Sequence, residues 1–84
     1  MHSSPQPDLQ DKFGEALREL RKEAGLSQSK LSEISGLSVN FISFVERGIE
    51  QPSMNSFWLL AYGLKIAPDE FIRKVMNKKP IPNL

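Results

Sequence analysis

Cysteine is missing from all 84 positions, and the single histidine is His2, beside the N-terminus. The lack of cysteine excludes disulfides and thiolate nucleophiles. The want of an internal histidine removes imidazole bases and nearly every zinc ligand set. Most catalytic classes go with them, so the expectation is no enzyme, no metal and no cofactor. Long apolar runs are scarce too. The longest, Phe57 to Leu64, covers eight residues and includes Gly63, where a membrane helix needs ~20. Met1-His2-Ser3-Ser4-Pro5 has neither a basic start nor an apolar stretch, so no secretory signal is read and a cytoplasmic protein without membrane contact is expected. An excess of charge of one sign is lacking as well, since eleven Lys and Arg against ten Asp and Glu leave +1. Total charge therefore does not announce a nucleic-acid partner, and only the placement of charges can.

What is present is an ordinary globular mix, 39% hydrophobic and 25% charged. The length suits one domain, which at this size buries only ~60% of the surface its unfolded chain exposes, so a partner subunit is expected. Residues 1–11, polar and carrying Pro5 and Pro7, read as a flexible lead-in. Residues 12–77 read as the folded domain, and residues 78–84, with Pro80 and Pro82, as a tail.

No stretch alternates with period two for long enough to make a strand, whereas apolar residues recur at helical spacing. Phe13, Leu17, Leu20 and Ala24 predict a first helix from about Lys12 to Ala24, closed by Gly25. Ser27 caps a second helix that carries Leu31 and Ile34 and stops at Gly36. Ser38 caps a third, Val39 to about Arg47, with Ile42 and Val45 inward and Gly48 at its end. Ser53 caps a fourth whose inward stripe is Met54, Phe57, Leu60, Ala61 and Leu64, ending near Leu64. Pro68 opens a fifth that reaches about Asn77, with Asp69 and Glu70 near its positive dipole end. The expected class is all-α, five helices. On the first helix Asp11, Glu15, Glu19 and Glu23 form a like-charged stripe, relieved by Arg18 and Lys22 at three-residue offsets and read as a solvated face.

The most informative stretch is Gln28 to Arg47. Two short helices are joined there by Gly36-Leu37-Ser38, too tight for an antiparallel hairpin and suited to a helix-turn-helix, in which the helices cross at ~90 to 120°. Leu31, Leu37, Ile42 and Val45 supply its internal packing. An ordinary helical hairpin in a small bundle is the competing reading of this pattern alone.

The wider sequence resembles the Cro/repressor-type, or XRE, family of phage and bacterial transcription regulators over about Phe13 to Phe71. The resemblance rests on Phe13-Gly14-Glu15-Ala16-Leu17-Arg18-Glu19-Leu20-Arg21, Gly25-Leu26-Ser27-Gln28, Gly36-Leu37-Ser38, Ile42-Ser43-Phe44-Val45-Glu46-Arg47-Gly48 and Gln51-Pro52-Ser53. Phe41-Ile42-Ser43 before Val45-Glu46-Arg47-Gly48, with a short fifth helix, looks most like stand-alone regulators such as restriction-modification controller proteins. The resemblance implies a five-helix lambda-repressor-like domain, double-stranded DNA as partner, and a recognition helix in the major groove. The chain departs from the family pattern at Ser32, where alanine is usual, and at Ser35, where leucine is common, with Ile34 apolar one place earlier. Phe41 and Phe44 stand where polar residues are frequent.

On a helix of ~100° per residue, Ile42 and Val45 define the inward side of the third helix, and Asn40, Ser43, Phe44 and Arg47 the opposite one. Recognition helices dock N-terminus first, which brings Val39 down into the groove as well. The candidates for base readout are Val39, Asn40, Ser43 and Phe44: asparagine can bond an adenine edge twice, and apolar side chains touch thymine methyls. Helix starts attract phosphate, so Ser38, Ser53, Arg47, Gln51, Asn55 and the outlying Lys30 are candidates for backbone contacts. The resemblance adds Gln28 to these and implies that Arg21 and Glu46 form a partly buried structural salt bridge between the first helix and the recognition helix.

A second surface is predicted from Trp58, Leu59 and Tyr62 on the fourth helix with Ile72, Val75 and Met76 on the fifth. Such apolar patches mark partner sites, and a twofold homodimer would set two recognition helices in successive major grooves of a pseudo-palindromic operator, ~34 Å apart. The reading is a bacterial or phage-encoded transcription regulator with no small-molecule ligand. The competing class is a protein-interaction module, an antitoxin or adaptor gripping its partner through the same surface. A small hydrolase or nuclease has no nucleophile and base to support it.

Overall fold

Serine starts three of the helices, for one physical reason. A free hydroxyl oxygen accepts a backbone N–H that the first turn leaves without a partner, worth ~1 kcal/mol each time. Ser27 Oγ accepts from Lys30 N at 3.0 Å, Ser38 Oγ from Phe41 N at 3.0 Å and Ser53 Oγ from Ser56 N at 3.1 Å. A computed structural model describes residues 7–80, and the side chains from Leu9 onward. Five helices stand in it: α1 Pro7–Glu23, α2 Gln28–Ser35, α3 Val39–Glu46, α4 Met54–Leu64 and α5 Pro68–Lys78. No strand occurs among the described residues. Of the lead-in and tail set apart in the sequence, residues 1–6 and 81–84 lie outside the described residues.

Two boundaries differ from the sequence-based expectation, since Lys78, set with the tail, closes α5. α1 begins at Pro7, not near Lys12. Proline is at home as a first helical residue because its fixed φ suits the turn and its missing N–H would have no partner there. Leu9 then extends the apolar stripe of Phe13 by one helical turn.

The core gathers Leu17, Leu31, Ile42, Val45, Leu60 and Phe71, all fully buried. Phe13, Phe57 and Phe71 tie α1, α4 and α5 together, with ring centroids 4.8 to 6.0 Å apart in one stacked and two edge-on pairs. Two members of the predicted stripes fall elsewhere. Ala24 is exposed because α1 ends at Glu23 and the chain turns away, and Ala16 is buried beside Leu17 instead. Met54 is 73% exposed, since a side chain on the first residue of a helix points back past its N-terminus, here beyond the core.

Two glycines matter for what they allow near them. A Cβ on Gly14 would stand 2.6 Å from the Glu46 carbonyl oxygen and closer still to that of Val45, so α1 and the end of α3 meet backbone to backbone. A Cβ on Gly63 would stand 2.7 Å from Leu31 Cδ1 and 3.4 Å from Ser35 Cβ. Ser35 is buried, and its hydroxyl accepts the Leu37 N–H at 3.2 Å. The serine found where leucine is common thus belongs to a close crossing of α2 and α4 that a leucine would hold apart.

The acidic stripe of α1 is relieved by α5, a correction to the expectation that Arg18 and Lys22 would do it. Lys78 Nζ lies 2.6 Å from Glu19 and 3.9 Å from Glu15, and Lys74 Nζ 3.1 Å from Glu23 and 3.5 Å from Glu19. The hydrogen bond from Lys78 holds the Glu19 carboxyl below its ordinary value, and the one to Glu23 raises Lys74. A depressed carboxylate stabilises the fold above its unfolded-state value, and that contribution is lost as pH falls through the lower folded-state value. Lys78→Met should therefore lower the thermal midpoint by a few degrees at neutral pH and low salt. The gap to the unsubstituted chain should shrink on acidification below the carboxylate range, and also in high salt. Calorimetry across pH checks it, and a gap that stays constant through the acid range would contradict the assignment.

Candidate nucleic-acid interface

Gly36 closes α2 at φ 80° and passes the chain to Ser38, so α3 starts after three residues in a new direction. A residue with a Cβ is strained at that φ, which is why the turn takes glycine. Ile42 and Val45, both 0% exposed, anchor α3 from behind, and Phe41, half-buried, packs against the same core. The opposite flank is open to solvent. Val39 is 38% and Phe44 37% exposed, Asn40 and Arg47 are exposed, and Ser43 is half-buried. The Arg47 guanidinium lies over the Phe44 ring, 5.2 Å from its centroid, a cation–π contact that confines a long side chain.

The predicted phosphate contacts fall into two groups. Ser38, Arg47, Gln51, Ser53 and Asn55 are exposed along the start of α3, its end, and the connection into α4. Gln28 and Lys30 lie on α2 and already have protein partners. Lys30 Nζ pairs with Glu33 at 2.9 Å in an exposed contact, and Gln28 Nε2 donates to Glu46 Oε1 at 3.0 Å. A primary amide has two N–H groups, so Gln28 keeps one for another acceptor. Two carboxylates stand among these residues, Glu33 beside Lys30 and the exposed Glu50 beside Gln51.

Arg21 and Glu46 form the polar centre behind the flank. Arg21 Nε donates to Glu46 Oε2 at 2.6 Å and Nη2 to Oε1 at 3.1 Å, with side-chain exposures of 11% and 4%. The remaining edge of the guanidinium donates through Nη1 to the Leu26 carbonyl at 2.8 Å. With Gln28 added, one carboxylate joins α1, the α1–α2 turn, α2 and α3. Sequence reasoning missed the Gln28 and Leu26 bonds, for which no spacing gives a signal.

The predicted partner surface lies away from α3. Trp58, Tyr62, Ile72 and Met76 are 58%, 67%, 41% and 36% exposed, and Leu59 is half-buried. Val75, only 6% exposed, serves as floor to a groove of about 460 Å³ walled by Leu9, Met54, Trp58 and Ile72 among others. Leu9 and Met54 were not foreseen there, since one was placed in the lead-in and the other in the core.

Two short helices at a tight left-handed turn, the second buried behind and bare in front, define a helix-turn-helix DNA-binding protein. A family model described as helix-turn-helix matches residues 17–71, and the chain belongs to that family of transcription regulators, of the XRE type. It is similar to the restriction-modification controller protein C.AhdI from Aeromonas hydrophila, whose crystal structure superposes with a TM-score of 0.72. The two are 44% identical, with 74% of this chain and 94% of that one covered. The HTH-type transcriptional regulator y4dJ of Sinorhizobium fredii (strain NBRC 101917 / NGR234) is 31% identical over 65 residues, 77% of this chain and 84% of that protein. The HTH-type transcriptional regulator SutR of Escherichia coli (strain K12) is also 31% identical, over 64 residues, which are 76% of this chain. The match spans only 36% of SutR's length.

The Glu46 centre makes a direct prediction. A buried carboxylate stripped of its guanidinium costs ~3 to 5 kcal/mol, so Arg21→Met should leave this small domain largely unfolded. Adding Glu46→Met should recover most of that loss. Urea denaturation followed by circular dichroism measures both, and a double variant no more stable than the single one would contradict the uncompensated-charge account.

Proposed function

We propose that this chain is a sequence-specific transcription regulator that binds a pseudo-palindromic DNA operator as a homodimer, with α3 in the major groove. The observation that carries this is the two-sidedness of α3, fully buried at Ile42 and Val45 and open at Val39, Asn40, Phe44 and Arg47. Asn40 offers a donor and an acceptor to an adenine edge, Val39 meets thymine methyls, and Ser43 reaches either kind of base. Phe44 touches a methyl with its rim while its face holds Arg47, which is thereby aimed along the groove wall. Ser38, Gln51, Ser53 and Asn55 clamp phosphates at the starts of α3 and α4, with Gln28 and Lys30 donating from α2. The folded unit takes in the expected residues 12–77, together with the start of α1 from Pro7 and Lys78 at the end of α5.

Homodimerisation is supported by the exposed apolar residues on α4 and α5. Trp58 and Tyr62 project beside a groove of the same apolar character, so the patch is suited to its own twofold copy. Regulation then needs no chemistry: an occupied operator blocks or opens access to a promoter. The same groove favours a second reading, an adaptor whose main partner is another protein, and solution mass together with DNA affinity distinguishes the two.

Asn40→Ala should weaken binding to sites selected from a random duplex pool by ~1 to 3 kcal/mol and relax preference at one base position. An unchanged sequence profile would remove Asn40 from base readout. Trp58→Arg should shift sedimentation toward the monomer and lower affinity more for a two-half-site duplex than for a single half-site. A monomeric parent chain, or a variant that dimerises unchanged, would overturn the assigned interface.

A further inference from the structure

The connection between α3 and α4 carries Gln51 and leads into Ser53, yet it has little of its own to hold it. Ile49 N and Glu50 N donate to the Phe44 carbonyl at 2.9 and 3.3 Å, and among the described residues no backbone hydrogen bond reaches Gln51 or Pro52. Ile49 is 57% exposed and gives no apolar anchor. The first turns of α1 supply what is missing. Gln10 Nε2 donates to the Gly48 carbonyl at 3.1 Å. Asp11 crowds the same residue, its carboxylate Oδ1 nearest and its Cα 3.3 Å from where a Gly48 Cβ would be, at a φ of 76°. Leu9 shares the groove wall with Gln51 and Pro52.

We infer that the start of α1 is a splint for the DNA-gripping α3–α4 connection, and that Gln10 is its positioning residue. Gln10 touches no DNA itself. It fixes the Gly48 carbonyl, and with it the place from which Arg47, Gln51 and Ser53 meet the phosphate backbone. Residues that contact phosphate set affinity and salt dependence without reading sequence, so the splint tunes grip and leaves base choice to α3. The inference rests on the proposed DNA-binding reading.

Gln10→Met keeps the length of the side chain and removes its donor. Measured on duplexes at several salt concentrations, it should bind about three- to tenfold more weakly, with the salt slope reduced by about one counterion. The sequence selected from a random pool should stay the same. In the free protein, the hydrogen-bonded amides of Ile49 and Glu50 should exchange faster while those of Leu17 and Val45 do not change. Gln10→Ala, which adds no charge and also removes the donor, should act in the same direction and covers the case in which methionine disturbs folding. Affinity and slope equal to the parent chain, or a loss of affinity accompanied by an altered site sequence, would overturn the inference while leaving the DNA-binding reading intact. A parent chain that shows no salt-dependent DNA binding would overturn both.

Discussion

Taking a carboxylate out of water costs several kcal/mol unless its lone pairs are filled, and the Glu46 side chain is only 4% exposed. Both of its oxygens are met by Arg21, one of them also by Gln28, and Arg21 in turn spends its last edge on the Leu26 carbonyl. Every partner comes from a different part of the chain, so α3 cannot rotate or slide without stranding a charge. An apolar cluster of similar volume could be as stable, but it would tolerate slippage that a forked guanidinium does not. The centre thus acts less as a source of stability than as a constraint on where the recognition helix points.

Close backbone crossings complete that constraint. Gly14 lets α1 lie directly against the last turn of α3, and Gly63 with Ser35 does the same for α4 and α2. The aromatic group of Phe13, Phe57 and Phe71 closes the other end of the core. Because α3 is held from behind by fully buried Ile42 and Val45, its front stays open to solvent. The Arg47 stack on Phe44 is the single ring-to-cation contact among the described residues, and it lies on that front.

Acidic and apolar residues are unevenly spread over the rest of the surface. Glu15, Glu19 and Glu23 of α1 are met by Lys74 and Lys78 of α5, which places them on the α1–α5 side, whereas Asp11 lies against Gly48 and the candidate phosphate contacts lie on α2, α3 and the start of α4. Of the exposed large apolar residues, Met54, Trp58, Tyr62, Ile72 and Met76 belong to α4 and α5, and Leu9, Val39, Phe44 and Ile49 to α1, α3 and the connection after it.

Features carried by neighbouring residues were legible in the sequence. The caps at Ser27, Ser38 and Ser53, the turn at Gly36 and the inward pair Ile42 and Val45 each depend on a few adjacent positions, and each stands in the structure as those positions dictate. The exposed flank of α3 follows from the same periodicity, and the pairing of Arg21 with Glu46 came through family resemblance, not from spacing. Contacts between distant segments left no local trace. The α1 start at Pro7 read as punctuation, Lys78 stands 59 positions from Glu19, and Gln10 stands 38 from Gly48. Helical periodicity tells which side of a helix turns inward, but not at what angle two helices cross. That angle decides which lysine reaches a glutamate, which glutamine finds a carbonyl, and where an apolar groove stays open.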